Sequence, residues 1–278
     1  MKISLLTDAP KHNLALMKLS THYKKAGDEV QLNMPLWKDD YTYGSYIFEN
    51  GIRFGDQERG GIGSNPKTTL PSFIEVLKPD YSLFNLKHSL GYTYRYCPRK
   101  CPFCKVPSLP PDKIHHSIHE FHDERFDTIE LLNNNTFADE FWEDTFKEIY
   151  KAKLKIIEHG MDLRLLDNYK AGWIKKLRWK KAPKFAWDEM KDEKKILAGL
   201  NLLKKHKIQA LVYVLMGFDS TMEQNIYRCQ KIYDFGCDPF PMLYKPTKGL
   251  RRFRRMIYLR YYRQYKTISE AWKAYGRN

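Results

Sequence analysis

No stretch of the 278 residues approaches the ~18 consecutive apolar residues that a membrane-spanning helix needs. The N-terminus, MKISLLTDAPKH, breaks its short apolar run at Asp8 and shows no small-residue cleavage segment behind it. These absences set the expectation of a cytoplasmic protein with no membrane partner. Cysteine is scarce and odd in number, and five residues argue against a secreted disulfide framework. Acids are outnumbered, 33 Asp and Glu against 48 Lys and Arg, a formal charge of +15. That charge favours an anionic partner and is silent about fold. Internal repeats and low-complexity tracts are also absent. What is present is a globular composition, 42% hydrophobic and 14% aromatic, which excludes a disordered chain. The length suits about two domains and is enough to bury a core without covalent staples.

Residues 2–6 (KISLL) read as a buried strand. Leu14, Leu16, Met17, Leu19 and Tyr23 predict a helix over 12–25 that stops at Gly27, and 29–33 (EVQLN) reads as the next strand. This is a βαβ-type unit, so parallel strands and a right-handed crossover are expected. A further strand is predicted at 46–49, a Gly- and Pro-rich loop at 55–71, and a boundary between about 75 and 88. Beyond it, strands are predicted at 90–96, 126–132, 154–158, 184–187, 208–216 and 239–244. Helices are predicted between them at 137–151, 168–179, 190–205 and 221–234. Six strands alternating with helices predict an α/β fold, either a parallel barrel or a doubly wound sheet.

The most specific motif is Cys97-Pro-Arg-Lys-Cys101-Pro-Phe-Cys104, placed after the first strand of the alternating region. An eight-residue loop with three thiols can wrap one small cluster and ligate three irons of a [4Fe–4S] unit, leaving the fourth iron open. A closed zinc site wants four ligands, usually as paired CxxC units. Cys229 and Cys237 are more than 100 residues away and read as buried thiols, although zinc completed by one of them or by a histidine stays an alternative.

This spacing resembles the radical S-adenosylmethionine (SAM) signature Cx3CxΦC, with Phe103 as the aromatic, and the resemblance covers about 85–245. It implies a partial parallel (β/α)6 barrel in which SAM chelates the open iron. The reduced cluster then cleaves SAM to a 5′-deoxyadenosyl radical, and the protein's part is to position and shield that species. It also implies an electron donor such as flavodoxin or ferredoxin. Three further segments lie at predicted strand ends, where parallel barrels gather their sites. Asn133, Asn134 and Asn135 end the second strand, where the superfamily places polar groups for the SAM amino group. The usual Gly-Gly-Glu-like pattern is missing there, and each Asn reads equally as a turn or cap residue. Asp162 and Arg164, in Glu158-His159-Gly160-Met161-Asp162-Leu163-Arg164, follow the third strand. The resemblance puts them near the SAM carboxylate or ribose; a surface helix charge is the other reading of Arg164. Met216 and Gly217 end the fifth strand and resemble the GxIxG region with only Gly217 matching, where backbone would meet adenine. No residue marks itself as a further catalytic group.

The expected domains are a small Rossmann-like α/β region at 1–80, the radical SAM core at 81–247 and a basic aromatic helical extension at 248–278. The first is similar to truncated cobalamin-binding domains. It lacks an Asp-x-His-x-x-Gly segment for a lower axial ligand, so cobalamin is not expected. The extension carries ten Lys or Arg against one acid, Glu270. Arg251, Arg252, Arg254 and Arg255 could track phosphates while Phe253, Tyr258, Tyr261, Tyr262 and Tyr265 stack on bases, which makes RNA or another anionic molecule a candidate substrate. The other reading is a helix whose aromatic stripe packs inward under solvated Arg side chains. His115, His116, His119 and His122 form a dense group without a metal-site pattern and read as packing or solvated residues. The competing function is a zinc- or Fe–S-stabilised nucleic-acid-binding protein without catalysis.

Overall fold

The computed structural model describes residues 1–34, 37–49, 51 and 55–275. The chain divides into two compact units, Met1–Asn133 with Lys147–Ile156, and Asn134–Phe146 with Ile157–Asn278.

The first unit opens with β1 (Lys2–Leu6), α1 (Leu14–Lys25) and β2 (Glu29–Leu32), followed by β3 (Tyr41–Ser45) and β4 (Glu58–Gly60). These strands form one sheet in the order β2-β1-β3-β4, and every pairing is parallel. Register runs Ile3 against Val30 on one side and Tyr41 on the other. The βαβ expectation holds. The strand predicted at 46–49 forms instead at 41–45, and β4 is a short strand inside the predicted loop 55–71. Asn13 starts α1 by accepting a hydrogen bond from Leu16 N at 3.3 Å. The helix buries Leu14, Leu16, Met17 and Leu19 against Ile3, Leu5 and Val30. Each fully buried side chain of this kind contributes about 1.5–3 kcal/mol. The short helix α2 (Ser72–Glu75) adds Ile74 to the same core.

β5 (Ser89–Gly91) and β6 (Thr128–Leu131) pair in parallel, with Leu90 opposite Glu130. Helix α3 (Trp142–Lys151) and β7 (Lys155–Glu158), the neighbour of β6, both run across the division between the units. In the second unit α4 (Asn168–Lys176) and the two-residue β8 (Arg178–Trp179) precede β9 (Lys184–Trp187), α5 (Glu193–Lys205) and β10 (Leu211–Met216). Then come α6 (Met222–Asp234), β11 (Asp238–Leu243), α7 (Lys248–Tyr258) and α8 (Ile268–Tyr275). β11, β10 and β9 form a parallel sheet in that order. β10 alternates half-buried and buried positions, with Val212, Val214 and Met216 at 0% exposure. Thr221 and Gln224 close a reciprocal cap at the start of α6. The α/β class with parallel sheets is as expected. Among the described residues no helix is long and apolar enough to cross a membrane.

Candidate functional site

In the first unit the chain leaves β5 at Gly91, where a Cβ would lie 2.4 Å from the Phe121 ring. Glycine is required there by packing. The predicted strand at 90–96 is shorter than expected, and the reason is a side chain. Asn133, just past the end of β6, accepts from Thr93 N at 2.9 Å and Tyr94 N at 3.1 Å, and donates to Thr93 Oγ1 at 2.8 Å. The backbone donors of this run are satisfied by an amide rather than by a neighbouring strand. Asn133 is 3% exposed and clamps the approach to the cysteine loop.

The loop is tied down on both sides. Arg95 pairs with Glu75, sits 3.9 Å from Asp112 and lies over the Tyr92 ring at 4.9 Å. Burial alone would raise the Glu75 carboxyl, but the Arg95 and Lys18 cations beside it hold it below its usual range. Lys105 pairs with Glu49 just past Cys104. Between these anchors Cys97 and Cys101 are half-buried and Cys104 is exposed. Cys104 N donates to Cys101 O at 3.0 Å, closing a turn that carries the half-buried Phe103.

Among the described residues no three His, Cys, Asp or Glu side chains are drawn together as a metal site. The donor set nevertheless fits a cluster in chemistry, because three solvent-reachable thiols share one short, anchored loop. Ligand loops of this kind take their final shape with the metal, since binding and local folding are coupled. Cys229 and Cys237 are 0% and 2% exposed, and burial pushes the Cys229 thiol up to about 12 and Cys237 upward as well. Both are shut away from solvent, which matches their reading as buried thiols. Of the histidine group, His116 pairs with Glu120 at 2.8 Å. His122 is buried, bonded to Ser89 Oγ at 2.9 Å, and its pKa is lowered chiefly by that burial.

In the second unit Asn134 is half-buried, and Asn135 is buried at the start of a single turn over Thr136–Ala138. β7 ends at Glu158, 1% exposed, whose Oε1 accepts from Gly160 N at 2.6 Å. Burial pushes this carboxyl up to about 8, against the hydrogen bonds of Gly160, Thr136 and His159 and the charge of Lys184. At neutral pH it is therefore mostly a neutral acid. Lys184 Nζ lies 2.9 Å from His159 Nδ1.

Asp162 accepts from Arg164 N at 3.0 Å, and its two oxygens take Arg164 Nε at 2.8 Å and a terminal nitrogen at 3.0 Å. The other terminal nitrogen of Arg164 reaches Asp192 at 2.6 Å. Burial would lower the Arg164 guanidinium, and the two carboxylates reverse that. The planar fork expected to receive a ligand carboxylate is thus engaged by this chain's own acids. Met216, the last residue of β10, is fully buried. Gly217 has φ +78°, and a Cβ there would lie 2.6 Å from Lys245 O. Its bare backbone admits the loop that follows β11.

Two functional candidates escape sequence reasoning. Arg228 of α6 is 0% exposed. It donates to Trp187 O at 2.9 Å, Asp188 O at 2.7 Å, Leu215 O at 2.7 Å, Ser220 Oγ at 3.0 Å and Asn225 Oδ1 at 2.6 Å. It so ties together the C-terminal ends of β9 and β10. Asp188 follows β9, and burial pushes its carboxyl up to about 6 against the pull of Arg228 and Arg164. Among the described residues nothing donates a hydrogen bond to that carboxylate. The signal for Arg228 was its spacing with Asn225, Cys229 and Ile232 on the buried face of α6.

No family model and no curated protein matches this chain in sequence. A solved radical SAM methyltransferase, TsrM from Kitasatospora setae with cobalamin and a [4Fe–4S] cluster bound, matches in structure with a TM-score of 0.63. The fold is similar to that of a radical SAM enzyme. The match covers 87% of this chain and 74% of the other at 10% identity, so the likeness is one of fold.

Proposed function

We propose that the chain is a radical SAM enzyme, with Cys97, Cys101 and Cys104 as the thiolate ligands of a [4Fe–4S] cluster. The observation that carries the reading is an anchored three-thiol loop after β5 in a fold similar to that of a radical SAM methyltransferase. When bound, the cluster supplies the single electron that cleaves SAM to a 5′-deoxyadenosyl radical. Phe103 shields the loop. Asn134, Asn135 and the backbone at Met216 and Gly217 serve SAM at the strand ends, while Asn133 and Arg164 position their neighbours. Asp188 joins this set as the carboxylate left without a hydrogen-bond donor, and Glu158 holds a proton at neutral pH. A partial (β/α)6 barrel, the division at about 80 and 247, an electron donor of flavodoxin or ferredoxin type and a reducing cytoplasmic setting belong to the same reading. Cobalamin joins the groups to be tested: the similar structure holds it, and the expectation against it has no support there.

Anaerobic reconstitution with iron and sulfide, followed by SAM and dithionite, tests the proposal. The wild type develops visible cluster absorbance and releases 5′-deoxyadenosine or another SAM cleavage product, and Cys104→Ala develops neither. Reconstituted wild type that leaves SAM intact refutes it.

A further inference from the structure

We propose that one face of α7 is a docking stripe for single-stranded nucleic acid. The inference stands on α7 and its surroundings in the second unit and does not depend on the cluster. Residues 276–278, including Arg277 of the basic extension, lie outside the described residues.

The structure sorts the seven cations of residues 248–263 into two groups; the exposed Lys266 and Lys273 lie beyond that stretch. Arg252 donates to Tyr275 O at 2.8 Å and lies 5.3 Å from the Trp272 ring. Arg254 lies 5.8 Å from the Tyr258 ring. Arg263 and Arg260 pair with Asp238 at 2.6 and 3.7 Å. These four are used within the fold. Lys248, Arg251 and Arg255 are exposed, and among the described residues none has an ionic or hydrogen-bonding side-chain partner.

Those three fall on one face of the helix with Tyr258, at spacings of three, four and three residues. The rise of an α-helix puts the cations within about 10 Å along the axis and Tyr258 about 5 Å beyond. The opposite face is closed, since Leu250, Phe253, Met256 and Ile257 are buried. The apolar half of the helix is thereby absorbed by packing, and the charged half is left over. Helix α7 contains no acidic residue, so nothing on it opposes a phosphate chain.

Charge complementarity alone would suit any polyanion. The stripe ends on an aromatic ring, and this points to nucleic acid. Tyr258 is 48% exposed, and its ring meets that of Phe240 at a 40° tilt with centres 4.7 Å apart. Half-exposed between Phe240 and Arg254, Tyr258 sets an aromatic edge beside a row of cations. That combination binds single strands with little sequence preference.

The test uses the full chain without SAM and a fluorescent oligouridylate of about 12 nucleotides. Binding is read by anisotropy across a salt series. Each phosphate contact to a single strand contributes about −0.7 to the slope of log K against log salt. Combined K248A, R251A and R255A should therefore flatten the slope by about 2, while combined K180A, K181A and K194A, three exposed lysines elsewhere, leaves it unchanged. Arg251→Lys with Arg255→Lys keeps the charges and keeps the slope. Tyr258→Ala weakens binding about tenfold at fixed salt with the slope retained. Thermal melts confirm that these surface variants fold. Equal flattening by both triple variants overturns the proposal, as does no binding of the oligouridylate by wild type. α7-dependent binding to phosphatidylserine vesicles without oligouridylate binding overturns it as well. None of these results bears on SAM cleavage, which the cysteine variants test separately.

Discussion

Replacing Arg228 with methionine removes a cation from a fully buried position while keeping most of its volume. The variant leaves the carbonyls of Trp187, Asp188 and Leu215 without the donor that now reaches each within 2.9 Å. Ser220 and Asn225 can fall back on their own bond of 2.9 Å, so the cost concentrates in the three carbonyls. An orphaned buried acceptor costs about 1–3 kcal/mol, partly offset here because a cation no longer has to be desolvated. A net loss of about 3–5 kcal/mol is expected, a large fraction of the 5–15 kcal/mol typical of a folded protein. Urea unfolding followed by far-ultraviolet dichroism reads it as a midpoint shift of roughly 1–2 M. A second readout is independent of stability. Arg228 pulls the Asp188 carboxyl down, so its titration should move up from about 6 in the variant. A loss below about 1 kcal/mol with an unmoved Asp188 would show that Arg228 does not join the ends of β9 and β10 as described.

Three further outcomes follow from the same structure. Glu158 titrates at about 8 when folded against 4.5 as its ordinary value, so the folded state binds the extra proton and wild-type stability falls as pH rises through that window. Glu158→Gln should remove this fall, so its stability relative to wild type increases from pH 5 to pH 8; a constant difference contradicts the assignment. In metal-stripped native protein, iodoacetamide should modify Cys97, Cys101 and Cys104 and spare the buried Cys229 and Cys237, as read by peptide mass. Modification of all five at one rate contradicts the burial. Gly217→Ala places a Cβ 2.6 Å from Lys245 O at φ +78°, and should cost at least about 1–3 kcal/mol in thermal unfolding.

Much of the architecture is legible because its signals are local. The apolar spacing that gives α1, its stop at Gly27 and the apolar run that gives β10 each act within a few residues. The misplacements have long-range causes. Tyr92, Tyr94 and Tyr96 look like strand, but the backbone of 93 and 94 is satisfied by Asn133, forty residues on. The cysteine loop is visible in sequence because three ligands share eight residues. The environment of the cofactor candidates is not. In sequence Arg164 reads as available, whereas in the fold Asp162 and Asp192 engage it, and Asp188 gains interest only from the company of two arginines.

The central claim is that three cysteines hold iron and sulfide. Metal and acid-labile sulfide analysis of anaerobically purified protein tests it most directly. About four iron and four sulfide per chain, lost together in Cys97→Ala, is the predicted result. Stoichiometric zinc without sulfide would contradict it.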